Sequence, residues 1–260
     1  MTASSDRLWQ DWLSWAGENG VKTPGREGFS DARARVWEGS EFVAASCARH
    51  PEMLADLLAK GHLDRAYGPG EMNRYLGAVL GGVGDEAALH VALRAFRRRE
   101  MVRIVWRDLA GLAALDETLE DLSELADVCI AGTLALLREW TQTELGVPRD
   151  EEGREQGLVV LGMGKLGARE LNLSSDIDLI FAYPASGSVD GPRPLTNEQF
   201  FVRLARRLVQ ALDSQTVDGF VFRVDTRLRP FGDAGPLAMS FGAMEDYYQS
   251  QARELSLIHI

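Results

Sequence analysis

The sequence predicts an α+β protein, with an all-helical N-terminal region followed by a smaller mixed unit. Up to about Gly146, apolar residues recur at three- and four-residue steps between helix start and stop signals. Residues 147–157 are polar, contain Pro148, Gly153 and Gly157, and break that period, which places the domain boundary there. Beyond them, short apolar runs ended by glycine or proline alternate with helical segments, the texture of a small sheet with helices to one side.

The helical region, residues 1–146, has identifiable elements. Pro51 to Lys60 begins with a proline suited to a first turn and stops at Gly61, and Asp85 to Ala110 runs between Gly84 and Gly111. Leu119, Leu122, Leu125, Ala126, Cys129, Ile130, Thr133, Leu136, Leu137 and Trp140 sustain an amphipathic period over several turns. Trp9, Trp12 and Trp15 are expected to be packing anchors. The basic run Arg97-Arg98-Arg99, with Arg103 and Arg107, is expected to be a solvated face paired with Glu100 and Asp108 rather than a phosphate patch.

In the second unit, residues 158–254, Leu158 to Leu161 and Asp178 to Tyr183 read as strands. Thr196-Asn197-Glu198-Gln199 is a capping box opening a helix with Phe200, Phe201, Leu204, Leu208 and Leu212 on one side. Gly219 to Thr226 is expected as a third strand.

Composition narrows the function classes. With 45% hydrophobic residues in 260, a packed globular protein is expected. No apolar stretch is long enough to cross a bilayer, and residues 1–6 lack a secretory apolar region, so a cytoplasmic location with no membrane partner is expected. Cys47 and Cys129 fit reduced core thiols, and the four histidines show no ligand spacing, so any metal should sit on carboxylates. A net charge of -11 argues against a nucleic-acid partner. From Gln156 to Glu254, ten Lys and Arg face twelve Asp and Glu, so this near-neutral stretch can still meet a nucleotide.

The chemistry centres on residues 162–178. Gly162, Gly164 and Gly167 follow a strand and let backbone N–H groups approach a phosphate, with the following helix N-terminus adding a favourable dipole. In Asp176-Ile177-Asp178 the strand period sends both carboxylates to one face. Two like charges so close are costly unless cations bind between them, and Mg²⁺ favours carboxylate oxygens with phosphate and water. Asp225 is a third carboxylate, expected opposite the side of Phe220, Phe222 and Val224. Arg227 and Arg229 share its parity and would supply charge to phosphate oxygens. The glycine spacing also matches a dinucleotide fingerprint, but Asp176 follows Gly167 by nine residues and opens its strand rather than closing one. A P-loop fails because Val159 stands where its first glycine should be.

The run Gly162 to Phe181, with Arg223 to Pro230, resembles the bifunctional glutamine synthetase adenylyltransferase and adenylyl-removing enzymes. Residues 181–184, 218–222, 230–232 and 246–249 are similar to the N-terminal, AMP-removing half of that family, as are residues 41–43, 50–52 and 96–101. The resemblance implies a polymerase-β-like nucleotidyltransferase domain that phosphorolyses an adenylylated tyrosine on glutamine synthetase to yield ADP, under control of the PII signalling protein and glutamine. It assigns catalysis and Mg²⁺ binding to Asp176, Asp178 and Asp225, with Gly164, Lys165, Ser174 and Ser175 on the phosphate side, where the glycine and parity patterns also place Gly162, Arg227 and Arg229. Gly164-Lys165 departs from the glycine-serine pair of many such transferases. Residues 255–260 also depart from the family pattern and are expected to be a non-native tail on a fragment.

Overall fold

The computed structural model describes residues 3–23, 25 and 28–251, so the expected tail at 255–260 lies outside the described residues. The chain divides into two compact units, residues 1–82 with 94–125, and residues 83–93 with 126–260. The division runs through two long helices, whereas the sequence reading places a domain boundary at 147–157.

The first unit is helical: α1 (Ala3–Glu18), α2 (Phe29–Gly39), α3 (Glu41–Arg49), α4 (Pro51–Ala59), α5 (Glu71–Leu80) and parts of α6 (Glu86–Leu109) and α7 (Leu115–Leu145). Local chemistry sets several boundaries. The Ser40 side chain caps α3 by accepting from Val43 N–H, and Pro51 opens α4, after which Gly61 adopts φ 66°. The core gathers Trp12, Trp37, Val43, Cys47, Leu54, Leu57, Val102 and Trp106. Trp9 stacks on Trp12 at 4.9 Å, and Trp12 Nε1 donates to Pro51 O, so these rings are indeed packing anchors. The fully buried Trp12 ring is worth roughly 3–5 kcal/mol against alanine.

The arginine run departs from expectation. Arg103 and Glu100 are fully buried, and Arg103 bonds Glu100 Oε2 at 2.8 Å and Asp121 Oδ2 at 2.9 Å. Arg107 pairs with Glu117 and Arg99 with Asp56. A buried ion network therefore replaces the expected solvated face. The reason is tertiary: one stretch of sequence supplies the cations, while Asp56 and Asp121 come from helices far along the chain.

The second unit carries the sheet. After α7 come β1 (Pro148–Asp150), β2 (Val159–Met163), the single turn α8 (Gly164–Gly167), β3 (Ile177–Tyr183), β4 (Gly187–Val189), α9 (Asn197–Asp213), β5 (Val224–Asp225), β6 (Ala238–Ser240) and α10 (Phe241–Gln251). The centre is β3, antiparallel to β2 on one side. On its other side β5 and β6 both pair with it in parallel, β5 at residues 177–178 and β6 at 181–183. The capping box at Thr196 and Gln199 forms as expected, and Phe200, Phe201, Leu204, Leu208 and Leu212 are all buried. Tyr183 stacks on Phe201 at 4.8 Å, joining β3 to α9.

Two elements differ from the sequence reading. Residues 148–150, expected to be loop, pair with β4 through the register Pro148↔Val189 to Asp150↔Gly187. The buried Asn197 amide secures this pair by donating to Arg149 O and Ala185 O. The expected strand Gly219 to Thr226 shrinks to Val224–Asp225. Val221 and Phe222 N–H both bond Leu212 O, and both side chains are buried, so the chain folds onto the end of α9 instead of alternating.

Candidate active site

Asp178, Asp225 and the glycine turn after β2 meet at one end of β3. Asp178 is the Cα partner of Met163 on β2 and of Asp225 on β5, which brings the two aspartates side by side across the sheet. Two local devices support this register. Ile177 N–H donates to Arg223 O at 2.9 Å, and the Asp213 carboxylate at the end of α9 accepts from Val224 N–H at 3.1 Å. Ile177 and Leu179 are fully buried on the opposite face while Asp178 is half-buried, the alternation that a strand period dictates.

The glycines have separable tasks. A Cβ on Gly162 would meet Leu166 Cγ at 3.0 Å, and one on Gly167 would meet Gly162 O at 2.6 Å, so both permit β2 and α8 to pack closely. Gly164 adopts φ 54°, and a Cβ there would lie 2.7 Å from Asp178 Oδ2. Its bare α-carbon is what gives the Asp178 carboxylate room. Because α8 is only four residues long, the helix-dipole contribution expected from the sequence is that of one turn. Lys165 is exposed at its start.

Residues 172–175 form a tight turn in which Ser175 Oγ donates to Asn172 Oδ1 at 2.7 Å and Ser174 N–H reaches the same oxygen. Arg223 then fastens this turn to the strand. Its Nη2 donates to Ser174 O at 2.6 Å, and its Nε bonds Asp176 Oδ1. Neither Asn172 nor Arg223 was assigned a role from sequence. Arg223 was detectable, since it lies two residues before Asp225 in the same segment.

Arg227 and Arg229, expected as equivalents, differ. Arg227 Nε lies 3.0 and 2.9 Å from the two Asp225 oxygens, its Nη2 also bonds Oδ2, and its backbone N–H reaches Oδ1 at 2.8 Å. Arg229 instead bonds Thr226 O at 2.7 Å and Thr226 Oγ1 at 2.9 Å, and lies 3.6 Å from Asp233. It braces the 226–235 loop, a role that strand parity could not reveal because the strand ends at Asp225.

Electrostatics divides the carboxylates. Burial first, then the charges of Asp225 and Asp176, push the Asp178 carboxyl above its ordinary range. Side-chain and backbone hydrogen bonds from Arg227 bring Asp225 down to about 2. Among the described residues, no three Asp, Glu, His or Cys side chains converge to hold a metal ion as they stand. Arg223 and Arg227 hold Asp176 and Asp225 instead. The donor set nonetheless fits a hard divalent cation: two carboxylates paired across adjacent strands, a third two residues away, and a repulsion at Asp178 that a cation would relieve.

The family model for glutamate-ammonia ligase adenylyltransferase matches residues 32–256. The chain is 58% identical over 221 residues to a bifunctional glutamine synthetase adenylyltransferase/adenylyl-removing enzyme of Nitrosococcus oceani, covering 84% of this chain and 23% of that protein. It is 52% identical over 248 residues to the enzyme of that name from Thioalkalivibrio sulfidiphilus, covering 95% and 25%. With the one from Pseudomonas aeruginosa, identity is 51% over 222 residues, covering 85% and 23%. The chain thus spans about a quarter of the length of these relatives. With a family match running from α2 to beyond α10, the chain belongs to the glutamate-ammonia ligase adenylyltransferase family.

Proposed function

We propose that this chain removes AMP from the adenylylated tyrosine of glutamine synthetase by phosphorolysis, using Mg²⁺ bound by Asp176, Asp178 and Asp225. The observation that carries this reading is the pairing of Asp178 with Asp225 beside the bare α-carbon of Gly164. The relatives' names supply the protein substrate and the two directions of AMP transfer. The likeness of residues 181–184, 218–222 and 246–249 to the N-terminal half of the family favours removal. Control by PII, which the same likeness implies, is part of this proposal.

When bound, the cation would orient the AMP phosphate and stabilise charge on the attacking and leaving oxygens. The protein's part is positioning. Gly164 leaves space beside Asp178, the Asn172–Ser175 turn sets the approach to Asp176, and Lys165 and Arg227 offer positive charge to the incoming phosphate. A phosphate oxygen bonds to the AMP phosphorus, the bond to the tyrosyl oxygen breaks, and the tyrosine takes up a proton as ADP leaves. Those cations offset the repulsion between two anionic phosphates.

The test supplies labelled inorganic phosphate and Mg²⁺ with adenylylated glutamine synthetase in one tube, and ATP with unmodified glutamine synthetase in another. Label in ADP supports removal. Free AMP would indicate hydrolysis, and AMP transfer in the second tube alone would assign the chain to the opposite direction.

A further inference from the structure

Arg223 and Arg227 contact the site carboxylates differently. Arg223 engages one oxygen of Asp176, Oδ1, and anchors its other end on Ser174 O. Its own carbonyl accepts from Ile177 N–H, so one residue secures the backbone on both sides of Asp176. Arg227, by contrast, lies across both oxygens of Asp225. Its backbone N–H takes Oδ1 as well, so the guanidinium is what covers Oδ2. Its side chain is 73% exposed and can swing away at little cost, whereas the Asp225 carboxylate is 19% exposed.

A carboxylate held through one oxygen keeps its second oxygen and its orientation for a cation, as outer-sphere partners of metal ligands do. A carboxylate covered on both oxygens must exchange its partner first. We infer that the two arginines act on the divalent-cation site in opposite senses: Arg223 positions Asp176 for the cation, while Arg227 closes Asp225 and is released toward phosphate when the cation binds. The inference rests on the metal site proposed above. It makes cation binding and phosphate capture one coupled event, because the group displaced from Asp225 is the group offered to the anion.

Charge-conserving variants separate this geometry from simple repulsion, since lysine keeps the positive charge but lacks the planar fork. Mn²⁺ binding to the 260-residue chain is followed by the electron paramagnetic resonance signal of free Mn²⁺, with circular dichroism as the control for folding. Arg223→Lys should weaken binding about tenfold, the lower end for outer-sphere partners because both side chains are about half exposed. Arg227→Lys should strengthen binding roughly two- to fivefold, the range of an exposed ion pair. If Arg223→Lys loses helical signal, Arg227→Lys decides alone, and an unchanged or weakened affinity there overturns the inference. Both variants moving in one direction overturns it as well. Should the wild type bind no Mn²⁺, or bind it equally with Asp178→Asn, the metal reading itself falls and takes this inference with it.

Discussion

Replacing Gly164 by alanine tests the site through a single atom. Two costs are separable. The backbone at φ 54° lies in the left-handed region, where a Cβ costs roughly 1–2 kcal/mol. The new methyl would also stand 2.7 Å from Asp178 Oδ2, closer than a carbon–oxygen contact allows, so the carboxylate must move by about half an ångström or more. Misplacement on the order of 1 Å costs about a hundredfold in rate where geometry is critical. Gly153→Ala is the matched control, because Gly153 has φ 78° with nothing within 4 Å of its would-be Cβ. Both variants should lower Tm by about 2–8 °C, the shift that roughly 1–2 kcal/mol produces in a protein of this size. Only Gly164→Ala should lose phosphorolysis, by ten- to a hundredfold on that scale. Differential scanning fluorimetry and the labelled-phosphate assay read the two effects. Equal activity in both variants would refute the proposition that Gly164 makes room for a working Asp178.

Asp178→Asn should abolish turnover while leaving helical circular dichroism intact, and should raise Tm at neutral pH. Burial and its acidic neighbours hold the Asp178 carboxyl above its ordinary range, so its charge is unfavourable in the folded state, and a lowered Tm would contradict this. In the helical unit, burial, then Arg99 and Arg65, bring His62 down to about 4 from its usual 6.5. The unfolded chain therefore takes up the proton first as pH falls. Stability contributed by neutral His62 is complete above pH 6.5 and declines toward pH 4. Urea unfolding at pH 7.5 and 4.5 should show a smaller loss in His62→Gln than in the wild type, and parallel losses would exclude this role.

Some features were legible because they are written in short-range periodicity. The capping box at Thr196, the proline start at Pro51 and the buried alternation of Ile177 and Leu179 each depend on residues within a few positions of one another. The Gly219–Thr226 segment departs from its sequence pattern for the converse reason. Its alternation was real as a pattern, but two consecutive N–H groups bond Leu212 O, a partner that no local rule identifies. The basic run in α6 was likewise readable as charge, while its burial depended on acids supplied by other helices.

Family membership and the placing of the glycines directly after β2 were legible in the chain itself, because a motif is a local property. Packing between distant segments is what sets Asp225 beside Asp178, makes Gly164 rather than Gly162 yield space to a carboxylate, and has Arg229 brace a loop while Arg227 lies on Asp225. Strand register and side-chain partnership depend on which remote stretches of chain meet, and no local rule specifies that. In this protein the two-residue strand β5 is held in register by Asp213 of α9 and by Ile177 of β3, eleven and forty-six positions from the residues they bind.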